Sequence, residues 1–444
     1  MVFSRFFKQP GRPEESGKPD ETSAASAVPK DNADDGPDVD YSRAPEEMDE
    51  ASWRERAMAV LPTGSSTGSK RMEALWGAAD AHAPSHYISA TGCRLITSQG
   101  RELIDCTMGL GAVAIGYADE RVTGSAVAAL AAGNVSGLPH VLEVDVAERI
   151  SSVVPCAEKV QFLKTGAEAV SAAIRIARTY TGRPRVIGCG YFGWHDWCSE
   201  ARGVPSATRA LYEEVPFGDI PAIERAVDAA GPDLAAIVIE PVVEELAPEA
   251  WIARARELAT KAGAALIFDE VKTGFRLRQG GFQELSGVTP DLATFGKALA
   301  NGYALSAVCG AAPLMDALRD TWVSSTLAGE TGALAAAQAV LELHAERDVC
   351  TDLASIGASM RTAIEHAVRA SKRPGITLGG IDPMWFLRFE DPAIETRFLV
   401  AAASEGLLLK RGAYNFASLA HDERTIHEIE TRASTALVSL RDGT

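Results

Sequence analysis

Four short strings carry the side chains of this sequence best suited to chemistry, and each follows a run of apolar residues. The first, residues 164–168 (Lys-Thr-Gly-Ala-Glu), comes after VQFL and opens an Ala-rich helical stretch. A turn of this kind offers unpaired backbone N–H groups and the positive end of a helix dipole to an anion, and Gly166 lets the anion approach closely. Thr165 is equally suited to an ordinary N-cap. The second string is Asp269-Glu270, at the end of the apolar run 265–268. A carboxylate there can pair with a cationic ring nitrogen while Val271 or Phe275 packs on the ring, or it can cap the next turn. The third is Lys297, preceded by Phe295-Gly296 and flanked by small residues. Most lysines are solvated surface charges, but one at a strand end beside an apolar pocket can lose its proton and attack a carbonyl. The fourth is the aromatic run 191–197, Tyr-Phe-Gly-Trp-His-Asp-Trp, which suits either a core cluster or a flat platform for a bound ring.

A phosphate seat, a ring platform, a partner for a ring nitrogen and an amine for an aldehyde are the contacts that pyridoxal phosphate needs. Their conjunction in one chain points to that cofactor far more strongly than any member does. Other chemistries lack their residues. The pair His195-Asp196 has no serine in a GxSxG elbow. GSSTGSK near Gly64 lacks Walker spacing, and GLGAVAIG near Gly109 lacks GxGxxG spacing. No HExxH or clustered His/Cys set occurs, so no metal is expected.

These strings must be positioned by a fold, and the composition limits which. The chain has 444 residues, 46% of them hydrophobic, with 43 Lys plus Arg against 60 Asp plus Glu and a net charge of −17. That is enough chain for one large domain or two ordinary ones. The negative balance argues against nucleic acid or an anionic membrane surface as partner, since both reward basic faces. Seven Cys without a CxxC pair suggest neither a zinc ribbon nor a disulfide framework, and with no secretory or membrane-spanning run a soluble, cytoplasmic protein is expected. Residues 1–50 hold 6 basic and 13 acidic residues with little to bury, and are expected to be a disordered acidic tail.

From Tyr87 to Asp105 short alternating runs broken by Gly92 and Gly100 predict small strands. From about Val160 apolar runs alternate with helical stretches, which predicts an α/β fold with a doubly wound, mostly parallel sheet. In the helix after Gly166, Val170, Ala173, Ile174 and Ala177 fall on one face that should lie on the sheet. Beyond Gly332 the pattern is helical, returning to short strands near Trp385 and Leu407. The expected division is an N-terminal segment of a small α+β domain at 51–115, a large cofactor domain at 116–333 and the C-terminal part of the small domain at 334–444. In open parallel sheets ligands gather at the carboxyl ends of the strands, where the four strings lie.

DEVKTGFR (269–276), FGKALANGY (295–303), KTGAEA (164–169) and GYFGWHDW (190–197) resemble class III aminotransferases of the fold-type I pyridoxal phosphate superfamily. The likeness is strongest to the glutamate-1-semialdehyde aminomutase-like branch, which has members in sugar and natural-product pathways, and it runs from about Leu61 to SLAH at 418–421. The resemblance implies a pyridoxal-phosphate-dependent transaminase with Lys297 as the Schiff-base lysine and Asp269 as the partner of the ring nitrogen. It implies Val271 on one ring face, Tyr191 on the other, and Thr165, Gly166 and Ala167 around the phosphate. Glu240, in IEP, matches an acidic residue near the cofactor. Thr326, in STLAGE, matches the threonine that reaches the neighbouring subunit's cofactor in a homodimer. There are departures. Ala167 stands where Thr or Ser is common, Phe192 where His is usual, and Lys70-Arg71 where aminomutases place a carboxylate-binding Arg. Arg411, Tyr414 and Asn415 replace small and acidic residues. Lys70, Arg71, Arg411 and Tyr414 are therefore candidates for substrate contact, or surface charges. An amino acid donor and a keto or aldehyde acceptor are the expected small-molecule partners. An intramolecular aminomutase is the alternative, with loop 199–208 as a candidate lid, and a cofactor-binding scaffold without catalysis is a third reading.

Overall fold

The apolar runs beyond Val160 assemble into one seven-stranded sheet in the order Lys159–Leu163, Ser306–Gly310, Leu292–Phe295, Ala265–Asp269, Leu234–Ile239, Arg185–Cys189, Tyr212–Glu214. Every pairing is parallel except the two made by Ser306–Gly310, which runs antiparallel to both neighbours. The computed structural model describes residues 49–77 and 83–440; the acidic stretch 1–48 lies outside the described residues. Asp49 and Glu50, the last two residues of the expected tail, cap and begin the helix Glu50–Val60, and the buried Glu50 accepts from the amide of Ser85 at 2.9 Å.

Strands Leu234–Ile239 and Ala265–Asp269 are buried at every position, as parallel strands covered on both faces must be. Alternate side chains serve opposite layers. Val238 and Ile267 pack with Val170, Ala173, Ile174 and Ala177 of the helix Gly166–Thr181, the face expected from their spacing. Ile237, Ile239, Leu266 and Phe268 pack on the other side with Ile223 of Ile220–Ala230 and Trp251, Ile252 and Ala255 of Glu249–Ala262. Each fully buried Val, Ile or Phe stabilises this sandwich by about 1.5–3 kcal/mol.

The early strands and the C-terminal part of the chain share a second, smaller body. Tyr87–Thr91, Arg94–Thr97 and Glu102–Asp105 form an antiparallel ribbon that Leu407–Leu408 joins in parallel, Leu407 opposite Ile104. Beside it lies a three-stranded sheet of Ile376–Ile381, Met384–Phe389 and Asn415–Phe416. The helix Thr331–Glu346 runs through the expected boundary at 333/334 and packs on Glu120–Ala132 and Val141–Val153. No helix among the described residues is long and apolar enough to cross a membrane.

Candidate active site

The four strings meet at the carboxyl ends of the strands. Strand Lys159–Leu163 leads into a capping box: Thr165 Oγ1 accepts from the Glu168 amide at 3.2 Å, and Glu168 Oε2 accepts from the amides of Thr165 at 2.8 Å and Lys164 at 3.1 Å. With those donors taken, the amides of Gly166 and Ala167 have no protein acceptor among the described residues. They open the 16-residue helix Gly166–Thr181, and two free amides at the positive end of a helix dipole form a seat for an anion. Gly166 lies hard against Val271: a Cβ there would come within 2.8 Å of Val271 Cγ1.

The aromatic run folds over this turn. Gly193, at φ +95°, leaves no space for a side chain, since its Cβ would stand 2.4 Å from that of Ala167. The run divides. Phe192 and Trp197 are core rings packed around Tyr212, whereas Tyr191 and Trp194 are 76% and 75% exposed. The Tyr191 amide donates to Glu240 Oε2 at 2.9 Å, which ties the platform to the end of strand Leu234–Ile239. His195 faces Ser171, Nδ1 to Oγ 2.7 Å.

Asp269 and Lys297 come from adjacent strand ends. The parallel register sets Asp269 opposite Thr294, and Asp269 Oδ1 accepts from Thr294 Oγ1 at 3.0 Å and from the Val271 amide at 3.0 Å. Burial, then the charge of Glu240, push this carboxyl up to about 7. Lys297 follows Leu292–Phe295 with φ +46°, a left-handed backbone that costs a non-glycine residue about 1–3 kcal/mol and is tolerated where the surroundings enforce it. Asn301 supplies that enforcement. Its Oδ1 accepts from the amides of Ala114 and Ile115 and its Nδ2 donates to Gly116 O, pinning the short turn Lys297–Ala300. Burial and the neighbouring ammonium of Lys272 lower the Lys297 amine from 10.5 to about 8. A usable minority of the amine is thus neutral at pH 7, rising to about half near pH 8, and can act as nucleophile or base.

The remaining candidates occupy different places. Tyr414 is in the site: Lys272 Nζ lies 4.3 Å from its ring centroid and 2.5 Å from Glu240 Oε1. Lys70 and Arg71 are exposed on the turn before Met72–Trp76, and Lys70 borders a cavity of about 170 Å³ that Asp105, Leu110 and Tyr117 also line. Arg411 turns to Glu395, 3.3 Å away. Thr326 is exposed on the loop whose Glu330 pairs with Lys164 at 2.8 Å. Residue type and spacing do not single out Lys272, Thr294 or Asn301; Lys272 and Asn301 lie inside the strings DEVKTGFR and FGKALANGY, which is the one signal the sequence offers for them.

A buried carboxylate, a depressed lysine, a β-branched side chain packed against Gly166 and Gly296 and a pair of free amides fit pyridoxal phosphate in chemistry: acceptor for a ring nitrogen, amine for an aldehyde, apolar contact for a ring, donors for a phosphate. A profile of the family aminotransferase class III matches residues 77–195 and 204–421. The chain is 33% identical to 2'-deamino-2'-hydroxyneamine transaminase of Streptomyces kanamyceticus over 81% of its own length and 92% of that protein's. It is 31% identical to a glutamate-1-semialdehyde 2,1-aminomutase of Akkermansia muciniphila over 84% and 94%. Among solved structures, the PLP internal aldimine form of the FumI protein of Sphingopyxis sp. MTA144 superposes with a TM-score of 0.83 at 26% identity, covering 89% of this chain and 97% of that one.

Proposed function

The chain belongs to the class III aminotransferases and is a pyridoxal-phosphate-dependent transaminase; from that premise we propose that it moves the amino group of an amino acid donor to a keto or aldehyde carbonyl on a sugar or natural-product skeleton. The observation that carries the reading is the pairing of a buried carboxylate at Asp269 with a depressed amine at Lys297 on adjacent strand ends. The acceptor class is supported by the aminoglycoside-type name of the Streptomyces relative. The engagement of Arg411 by Glu395 also leaves that guanidinium poorly placed to receive a small keto acid.

When bound, the cofactor supplies an electron sink for the pair left behind at the donor's α-carbon. The chain supplies the rest. Lys297 Nζ anchors the cofactor at rest and, once free as a neutral amine, takes the proton from the α-carbon. Asp269 pairs with the protonated ring nitrogen and keeps it charged. Val271 and the exposed ring of Tyr191 pack on the two ring faces, with Glu240 beside them holding the Tyr191 amide. Thr165 and the amides of Gly166 and Ala167 hold the phosphate. Lys70, Arg71 and Tyr414 contact substrate, and Arg411 does so only if Glu395 releases it.

The working unit is a homodimer in which Thr326 reaches the neighbour's cofactor. Support comes from an exposed apolar face: Val127 and Leu130 of Glu120–Ala132, then Leu138, Val141 and Val144, are 44–79% exposed. The loop carrying Thr326 abuts this face at Gly329, whose Cβ would meet Glu143, and exposed apolar patches of this kind mark association surfaces. All seven cysteines are free, in keeping with a reducing, cytoplasmic setting.

The test is a half-reaction screen. Holoenzyme is mixed with amino donors, the cofactor spectrum is followed, and keto products are identified by mass. Donor-dependent spectral change that an added carbonyl compound reverses is expected, and Lys297→Ala should abolish it. Isomerisation of one compound with no acceptor added would favour the aminomutase.

A further inference from the structure

Glu240 and Lys272 form an ion pair beside the reacting groups, and its surroundings are unusually complete. Their side chains are only 10% and 11% exposed and meet at 2.5 Å. Glu240 Oε2 takes the Tyr191 amide. Lys272 is covered by the Tyr414 ring, and the Tyr414 hydroxyl accepts from the Glu244 amide at 2.5 Å. Glu244, itself at φ +64°, pairs with Arg388 at 2.7 Å. Ion pairs this deeply withdrawn from water seldom repay their desolvation as stability, so this one has been kept next to Lys297 for another reason.

No ion pair joins Lys297 to Asp269 or to Glu240 among the described residues, although both carboxylates act on it. An amine that must attack and accept protons cannot be held as an ammonium in a salt bridge. Of the two carboxylates Glu240 has the larger effect on Lys297, and Glu240 is occupied by Lys272. We propose that Lys272 is a positioning residue for the reacting amine: as the fixed counter-ion of Glu240, anchored under Tyr414, it keeps Glu240 from pairing with Lys297 and sets a second positive charge near that amine. This inference rests on the reading of Lys297 as the reacting lysine.

Among the described residues the charges with the largest effects on Lys297 are, in order, those of Lys272, Glu240, Asp269 and Arg276. Arg276 is spent elsewhere, donating to Ala417 O at 2.9 Å and Gly111 O at 3.0 Å. Removing the Lys272 charge while keeping its bulk takes away the repulsion and frees Glu240 in one step. Both changes favour the ammonium form of Lys297. A neighbouring cation is a known way to keep a lysine nucleophilic.

The experiment compares wild type, Lys272→Met, Lys272→Arg and the double variant Glu240→Gln/Lys272→Met. One readout is the pH midpoint for acylation of Lys297 in the full-length, cofactor-free chain, measured by peptide mass spectrometry. The other is the acid limb of the kcat profile of the holoenzyme. Lys272→Met should raise both midpoints by about one pH unit, a tenfold gain in proton affinity. Lys272→Arg should leave them near the wild-type values, and the double variant should return most of the way, because Glu240 then has no charge with which to capture the amine. Equal midpoints in wild type and Lys272→Met, with matching thermal melts, would overturn the proposal. So would a double variant no different from Lys272→Met. If Lys272→Met does not fold, the double variant decides: a midpoint raised as far as the loss of repulsion and capture together predicts refutes the role of Glu240, and one near wild type upholds it. Failure of the underlying reading is separate, since there Lys297→Ala would keep turning over whatever Lys272 does.

Discussion

Replacing Asp269 by asparagine should make the cofactor-free chain more stable while crippling it as an enzyme, and the size of the effect follows from one group. In the folded chain Asp269 releases its proton near 7, against 3.8 for an exposed aspartate. Between those values the folded state holds a proton that the unfolded state has given up, so stability falls as pH rises through this window. The full cost of ionising Asp269 in place, well above pH 7, is about 4 kcal/mol, of which about 2.5 kcal/mol appears between pH 5 and pH 8. The asparagine of Asp269→Asn carries no charge and no such slope. Its Oδ1 can still accept from Thr294 and the Val271 amide, and an unpartnered Nδ2 costs about 1–2 kcal/mol. The variant should therefore be about 2–3 kcal/mol more stable than wild type at pH 8, and the two should converge towards pH 5. Urea unfolding of both cofactor-free proteins at fixed concentration, in steps from pH 5 to pH 8, measures this directly. Parallel pH profiles would show that Asp269 is not the buried, poorly compensated carboxylate described here. The same substitution should weaken cofactor binding, because the negative charge that strains the empty site is the one that holds the ring nitrogen.

Gly166→Ala should fold normally, as alanine favours a helix, but its methyl would drive into Val271 Cγ1 at 2.8 Å. A fluorescence titration should find cofactor affinity at least tenfold lower, and an unchanged affinity would remove Val271 from the ring contact. Leu138→Asp, at a position 79% exposed, should shift the elution volume from dimer to monomer without lowering the stability of the subunit, and a dimer that persists would place the interface elsewhere.

What the sequence makes legible and what it hides separate along physical lines. Parallel strands covered on both faces are apolar at every position, so Leu234–Ile239 and Ala265–Asp269 stand out as unbroken runs, and the residue that ends each run lies at the ligand-binding edge of the sheet. That picks out Asp269; Glu240, the residue after Ile239, is reached only through the likeness of the IEP string. Helical period identifies the buried face of Gly166–Thr181 because one stripe of it meets one layer. The aromatic run obeys no period: Gly190 and Gly193, both at positive φ, turn the backbone so that Tyr191 and Trp194 face out while Phe192 and Trp197 enter the core. Partnership between distant residues is invisible. Nothing in the spacing says that Glu395 takes Arg411, or that Glu240 and Tyr414 enclose Lys272, because those contacts depend on how separate strand ends and loops converge.

The pair Asp269-Glu270 shows how burial separates a structural carboxylate from a working one. Both are buried and both are pushed upward by desolvation. Glu270 is answered on both oxygens, by the Thr273 hydroxyl and the Phe282 amide on Oε2 and by the Gln283 amide on Oε1. It locks the turn that follows the strand and has nothing left to offer a ligand. Asp269 receives its two bonds on Oδ1 alone, and no group among the described residues donates to Oδ2. A contrast holds among the cations too: Arg276 and Lys410 donate to backbone carbonyls, whereas Lys297 is joined to no carboxylate among the described residues. A chain under selection for stability alone would have partnered or neutralised these two groups as it did their neighbours. Leaving them incomplete makes sense if a bound molecule brings the missing partners, a positive ring nitrogen for Asp269 and a carbonyl carbon for Lys297. The destabilisation expected of Asp269 in the empty protein and its grip on the cofactor are then one property measured in two states.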